Sequence, residues 1–224
     1  MPPANSTRVP RMGWMNAYLV REDDGLTLID TTLPRGASKL LAAAAELGAP
    51  IRRILLTHAH GDHIGSLDEL VASLGDVEVL IGAREERLLH KDMTLDPGEL
   101  QRKPRGSYTG AKTSPTRTLA EGDRVGSLEV VSTPGHTPGH LAFVDVRDRT
   151  VFCGDTYSTL GGVAVSSRVN PRFPLVVMGT WDRAGVLASA RKLRGLEPAA
   201  LAPGHGRVVD DPAAAMDAAI AHAS

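Results

Sequence analysis

The stretch Thr57-His58-Ala59-His60-Gly61-Asp62-His63 constrains this chain more than any other. It packs three imidazoles and a carboxylate between positions 58 and 63. The apolar run Ile54-Leu55-Leu56 before it reads as a buried strand, and the amphipathic run Ile64 to Leu74 after it reads as a helix. The polar groups therefore fall on a strand-to-helix loop at the carboxyl end of a strand, where open α/β folds place their active sites. In extended chain His58 and His60 point the same way and can share one ion. Asp62 and His63 are neighbours whose side chains diverge, so they can serve a second. The spacing describes a two-metal cluster.

Such a site needs a core to hold it. A chain of 224 residues with 42% hydrophobic and 23% charged residues is long enough and apolar enough to build one. Net charge near −1 gives no reason to expect nucleic acid or an anionic membrane as partner, and no apolar run approaches the length of a membrane span. The start, Met1 to Pro10, is polar and Pro-rich without a signal-peptide pattern, and the single Cys153 excludes an internal disulfide framework. Both features predict a cytoplasmic protein acting on a small-molecule substrate. They leave the oligomeric state open.

Along the chain, Asn16 to Val20 and Leu26 to Asp30 flank Asp24-Gly25 and predict a β-hairpin. Ser38 to Leu47 reads as a helix stopped by Gly48, Arg52 to Leu56 and Val77 to Ile81 as strands, and Ala83 to His90 as a helix. Asp92 to Thr116, with three Pro and three Gly, is a long loop. From Arg102 to Arg117 it carries five basic residues and no acidic one, which fits either a solvated loop or a substrate-facing rim that attracts anions. Strands are expected at 123–125, 128–132, 141–146 and 150–153, and an irregular stretch from Thr156 to Pro174 contains Tyr157 and Phe173. Then come a helix over Asp182 to Leu196, capped by Thr180 or Asp182, a strand at Ala199 to Ala202, and a closing helix over Pro212 to His222. The elements fall into two successive halves, roughly 1–115 and 116–224, and predict two packed β-sheets with helices outside.

Six of the eight histidines fall in three short stretches: His58/His60/His63, His136/His140 and His205. His136 lies in Thr133-Pro134-Gly135-His136 and His205 in Pro203-Gly204-His205-Gly206, each directly after a predicted strand. Asp155 follows Val151-Phe152-Cys153-Gly154, again at a strand end. Singly, Asp155 can be a turn residue and His205 a surface histidine. Together, four strand ends each deliver a ligand-type side chain.

This arrangement resembles the metallo-β-lactamase fold superfamily, whose motif is His-x-His-x-Asp-His followed by a later His, an Asp and a final His. The chain supplies His58, His60, Asp62, His63, His136, Asp155 and His205 in that order. Asn16-Ala17-Tyr18-Leu19-Val20 and Leu28-Ile29-Asp30-Thr31 are similar to the superfamily's first hairpin. The resemblance implies an α+β fold, a four-layer αββα sandwich of two mixed β-sheets, spanning residues 1–224 as one domain. It implies that one ion takes His58, His60 and His136, that the other takes Asp62, His63 and His205, and that Asp155 bridges them. Asp30 would orient a ligand, His140 would be a supporting residue, and His90 and His222 would face solvent.

Ligands of imidazole and carboxylate without thiolate suit two divalent ions, Zn before Fe or Mn. By the resemblance, a metal-bridging hydroxide would attack an ester-like bond of a lactone, thioester or carboxylic ester, with Asp62 handling its proton; Tyr157 would either reach the substrate oxyanion or serve packing alone. Glyoxalase II enzymes of the superfamily carry a helical domain after the last His, where this chain has only residues 206–224, so that activity is not expected. Phosphodiester hydrolysis on the same cluster is the nearest alternative, supported by the basic run. A mononuclear-iron sulfur dioxygenase is the alternative from another class.

Overall fold

The computed structural model describes residues 5–170 and 175–224. The predicted hairpin is the middle of a six-stranded sheet. It starts with β1 (Ser6–Arg11), β2 (Met15–Glu22) and β3 (Gly25–Ile29), followed by helix α1 (Ala37–Glu46) and strand β4 (Ile51–Leu56). The histidine loop leads into α2 (Gly61–Ile64) and α3 (Leu67–Leu74), and β5 (Glu78–Gly82), α4 (Ala83–Leu89) and β6 (Arg117–Leu119) complete this half. The sheet order is β1-β2-β3-β4-β5-β6, antiparallel up to β3 and parallel from there on.

The second half begins with β7 (Arg124–Val125), β8 (Leu128–Ser132), β9 (Leu141–Asp145) and β10 (Thr150–Gly154). A small ribbon of β11 (Tyr157–Ser158) and β12 (Ala164–Val165) follows, then α5 (Leu175–Gly179) and α6 (Arg183–Gly195). Strands β13 (Ala200–Pro203) and β14 (Val209–Asp210) and helix α7 (Ala213–Ala223) close the described chain. Here the order is β14-β13-β10-β9-β8-β7, with β10 and β13 the parallel pair. Both sheets are mixed.

The layering follows from strand periodicity, since successive side chains face opposite sides of a sheet. On β4, Leu55 faces the second sheet, where it joins Tyr18, Phe143 and Phe152, while Ile54 and Leu56 face Leu40, Leu67 and Leu88 of the outer helices. On the second sheet Val130 and Phe143 point inward, and Val131 and Ala142 pack against Val186, Leu193 and Met216. Three buried layers thus separate four structural ones, the expected αββα sandwich.

Three local outcomes depart from the sequence reading, and a fourth decides between two expected caps. The helix expected over Ile64 to Leu74 is broken into α2 and α3 at Gly65-Ser66, because a Cβ on Gly65 would meet Pro34 at 2.5 Å and Ser66 Oγ is committed to Leu33 O at 2.6 Å. β6 lies beyond the halfway boundary yet joins the first sheet. β1, β14 and α5 are additional; β1 lies in a stretch read only as polar, and the part of the irregular stretch from Pro171 to Pro174, including Phe173, lies outside the described residues. Asp182 is the cap of α6, accepting from Ala184 N at 3.0 Å, and Thr180 has a different task, described below. Among the described residues no helix is long and apolar enough to cross a membrane.

Candidate metal centre

The four predicted strand ends meet at one edge of the two sheets. His58, His60 and His63 follow β4, His136 follows β8, Asp155 follows β10 and His205 follows β13. Each of these six is buried, and only Asp62 is partly open, with its side chain 32% exposed. His58 Nε2 and His136 Nε2 each lie 3.1 Å from His60 Nδ1, so three ring nitrogens converge on one point. Asp62, His63 and His205 form a second group whose ligand atoms all lie within 4.8 Å of one another. The Asp155 carboxylate lies between the groups, with Oδ2 3.4 Å from His136 Nε2 and 3.2 Å from His205 Nε2, and Oδ1 3.4 Å from His63 Nε2.

The outward-facing atoms of the rings are engaged, and those bonds decide which nitrogen remains for a metal. Asp30 accepts from Thr57 N and Thr57 Oγ1 and from His63 Nδ1, each at 2.8 Å. The Thr57 hydroxyl proton is thereby used, so His58 Nδ1–H donates to Thr57 Oγ1 at 3.0 Å and leaves Nε2 inward. Thr180 Oγ1 donates to Ser166 O and accepts from His136 Nδ1 at 3.1 Å. His60 is held the other way round: its Nε2–H donates to Arg105 O at 2.8 Å, so Nδ1 faces inward. The residue after Arg105 must be glycine, since Gly106 has φ +104° and a Cβ there would lie 2.1 Å from His60 Nε2.

His140 takes the supporting place expected of it. Its Nε2 accepts from Asp155 N at 3.0 Å and its Nδ1 donates to Thr133 Oγ1 at 2.8 Å. Burial pushes its pKa down to about 3, so it stays neutral and holds the Asp155 backbone. Two contributors escaped the sequence reading. Glu85 of α4 is fully buried and accepts from Ala59 N at 2.9 Å and from Gly139 N at 2.8 Å, tying the β4 and β8 loops together. Trp14, in the turn before β2, sets its ring 5.5 Å from that of His205. An acid at a helix start and an aromatic in a hairpin turn carry no sequence signal that separates them from ordinary surface residues.

Tyr157 does not reach this centre. The chain turns back after Asp155, with Thr156 N bonded to Cys153 O at 3.0 Å, and this carries Tyr157 under the second sheet. Its hydroxyl donates to Ala190 O of α6 at 2.8 Å, its ring packs with Val186 and Met216, and burial keeps the phenol protonated. It is a packing residue, so the oxyanion role expected from the resemblance is withdrawn.

The donor set fits metal ions. His63 Nε2 and Asp155 Oδ1 are buried without any hydrogen-bond partner, and buried polar atoms are seldom left so unless something binds them. For His63, burial lowers the pKa, but the charges of Asp155 and Asp30 outweigh it and raise it. His205, equally buried, is raised to about 9 by Asp155 and Asp62. For Asp62 and Asp155 burial works upward, yet the facing histidines hold both carboxylates below the usual range. Without cations, His63 and His205 hold protons that a cation would replace, while burial keeps His58, His60 and His136 neutral. The metal-poised arrangement opens onto a cavity of about 460 Å³, whose floor includes His60, Asp62, Asp155 and His205.

The long loop faces this cavity through Gly106, Ser107 and Thr109, while the side chains of Arg102, Lys103 and Arg105 stay exposed and take no part in its lining. Its fixed points are Arg105 O on His60, Ser107 O accepting from Gly61 N at 2.7 Å, and Arg102 O accepting from Trp181 Nε1 at 2.5 Å.

The fold and this centre define a metal-dependent hydrolase. The chain belongs to the metallo-beta-lactamase superfamily, whose family model matches residues 15–205. It is 39% identical over 215 residues to the uncharacterized protein YobT of Bacillus subtilis (strain 168), covering 96% of this chain and 92% of that one. The probable metallo-hydrolase YflN of the same organism is 30% identical over 85% of this chain and 80% of its own length. A hydroxyacylglutathione hydrolase of Rhodospirillum rubrum is 37% identical, with 64% of this chain matching 48% of that protein. Among solved structures, TTHA1623 in a di-iron-bound form superposes with a TM-score of 0.67 at 30% identity, covering 92% of this chain and 94% of that one.

Proposed function

We propose that this protein is a dinuclear-metal hydrolase that cleaves an ester-like bond, whether of a lactone, a thioester or another carboxylic ester, in a small-molecule substrate. The observation that carries the reading is the position of Asp155 between two triads, His58/His60/His136 and Asp62/His63/His205, each with its ligand atoms turned inward. These residues would hold two divalent cations. Zn is the metal the nitrogen and oxygen donors suit first, and Fe or Mn are the alternatives. Bound there, such a pair acidifies a water towards neutral pH and supplies Lewis acidity to a developing oxyanion.

The remaining work belongs to the chain. Asp62 is ionised at neutral pH and lines the cavity, so its carboxylate can take a proton from the attacking water and pass it to the leaving group. Asp30, Thr57, Thr180 and Arg105 O fix ring orientation. Glu85 and His140 hold the loops that carry His58, His60 and Asp155. We place this activity in the cytoplasm, on the strength of the single, buried Cys153.

The test is metal analysis of purified protein followed by a panel of lactone, thioester and phosphodiester substrates. Two metals per chain and hydrolysis of an ester-like member are expected, and His60→Ala and Asp155→Ala should lose metal and hydrolysis together. One iron per chain with oxygen uptake on a persulfide would replace this reading by the sulfur dioxygenase. Preferential cleavage of the phosphodiester would replace it by the phosphodiesterase.

A further inference from the structure

The cavity over the metal centre is lined by polar residues of the centre and by two apolar groups from separate segments, each forming a wall. One wall is Trp14 from the β1–β2 turn with Leu33 and Pro34 from the loop after β3; the other is Leu175, Val176 and Met178 of α5. Leu175 is 56% exposed and Met178 60%, and Met12, two residues before Trp14 in the same turn, is 70% exposed. Large apolar side chains are thus left in water on the segments that surround this opening, which marks a surface that a ligand covers. A volume of about 460 Å³ falls within the range of small-molecule sites, roughly 300–1,000 Å³. Between the walls, the third side offers only Gly106 and the short side chains of Ser107 and Thr109.

Charge argues in the same direction. Among the described residues, no Lys or Arg side chain lines the cavity. An anionic group seated between the apolar walls, away from the floor, would lose its hydration without gaining a basic side chain as partner. A carbonyl group at the floor with a hydrocarbon chain along the walls meets no such cost.

We infer that the substrate is an uncharged ester or lactone whose acyl part is an apolar chain, held by Trp14 and Leu33 on one side and Leu175 and Met178 on the other. This rests on the hydrolase reading above and adds the substrate class. The exposed residues of α5 are specificity determinants and not ligands.

The experiment compares kcat/KM of the metal-loaded protein for p-nitrophenyl acetate, butyrate and octanoate. An S-acyl glutathione thioester and bis(p-nitrophenyl) phosphate serve as anionic probes. With walls that bury each methylene partly or fully, a rise of about twofold to fourfold per methylene is expected, hence at least about fiftyfold from acetate to octanoate. The double variant Leu175→Asp/Met178→Asp should reduce that octanoate-to-acetate ratio by roughly tenfold or more. 1-Octanol should inhibit the wild-type protein more strongly than 1-butanol, a readout that needs no variant. A flat series, an unchanged ratio in the double variant, or preference for either anionic probe overturns the substrate class while hydrolysis itself stands. Failure to cleave any of the esters or either anionic probe overturns both it and the hydrolase reading.

Discussion

Asp30→Asn is the most informative single change away from the ligands. Asp30 has φ +59°, in the left-handed region that Asn tolerates as Asp does, so the backbone is spared and only the chemistry changes. The carboxylate accepts three bonds at 2.8 Å, from Thr57 N, Thr57 Oγ1 and His63 Nδ1. The amide has one oxygen. If that oxygen serves Thr57 N, the amide nitrogen faces two donors, and His63 relieves the clash by moving its proton to Nε2, the atom required for the metal. If the amide flips, Thr57 N loses its acceptor instead. Either outcome removes a bond to a charged group, on the order of 1.5–3 kcal/mol. Loss of a residue that orients a metal-binding histidine weakens metal binding by roughly 10–100-fold, or about 1.4–2.7 kcal/mol, and the two figures agree. Competition against a chromophoric chelator reads this directly. The weaker equivalent should be the one in the Asp62/His63/His205 group, with the His58 group less affected because it senses Asp30 only through Thr57. Two equivalents bound at wild-type affinity would refute the argument that Asp30 sets the His63 tautomer.

Gly106→Ala should displace His60 and lose one metal equivalent, read by the same competition, because its Cβ would lie 2.1 Å from the ring. Glu85→Gln leaves one of two loop amides facing an NH₂ group; about 1.5–3 kcal/mol of stability should go, roughly 3–12 °C in Tm, measured by thermal melting. Tyr157→Phe should cost about 1 kcal/mol of stability and leave kcat/KM within twofold, since only the bond to Ala190 O is lost. The metal-free and metal-loaded proteins should respond to pH with opposite signs. In the metal-free chain His63 and His205 have raised pKa values, the latter about 9, so their stabilisation is complete below about 6.5, the unfolded value, and is lost as pH rises through about 9. Melting in a chelator should therefore show a falling Tm from about pH 7.5 to about 9, above the range where His58, His60, His136 and His140, held neutral by burial, add the opposite slope. Loaded protein should gain stability as pH rises from 6 towards 8, since cations bind deprotonated rings and displace those protons. Parallel slopes would contradict the assignment of these two rings to the metal centre.

The parts of the fold legible in the sequence are those with enough length to show a period. The runs that became β3, β4, β8, β10 and β13 bury most of their residues and lead into polar residues with ligand or ligand-orienting chemistry, so both strand and site were readable together. β14 is two residues long with neither buried, and β6 has one buried residue in three, so neither leaves a pattern to find. Of the two roles open to Tyr157 the sequence could not choose, because a separation of two residues places side chains together only in unbroken strand, and the turn closed by Thr156 N on Cys153 O breaks the strand at Asp155. Glu85 and Glu86 are indistinguishable as letters; burial alone separates the residue that joins two loops from its neighbour in solvent contact. The basic run from Arg102 to Arg117 suggested an anion-attracting rim, yet what the loop contributes to the centre is a backbone oxygen, which no residue type announces.

The ligands come from both sheets: His58, His60, Asp62 and His63 from the sheet completed by residue 119, and His136, Asp155 and His205 from the one that follows. Metal loading would therefore require both sheets to be folded and docked. A nascent chain that has folded its first sheet displays at most an open fragment of the centre, and the enclosing set forms only when β13 has slid in beside β10 to deliver His205. Cations acquired before that moment are held loosely and exchange; those acquired after it fasten the two halves to each other. Chains interrupted anywhere before β13 would thus lack His205 and hold cations loosely, separated from finished ones by the same geometry that prepares the active protein.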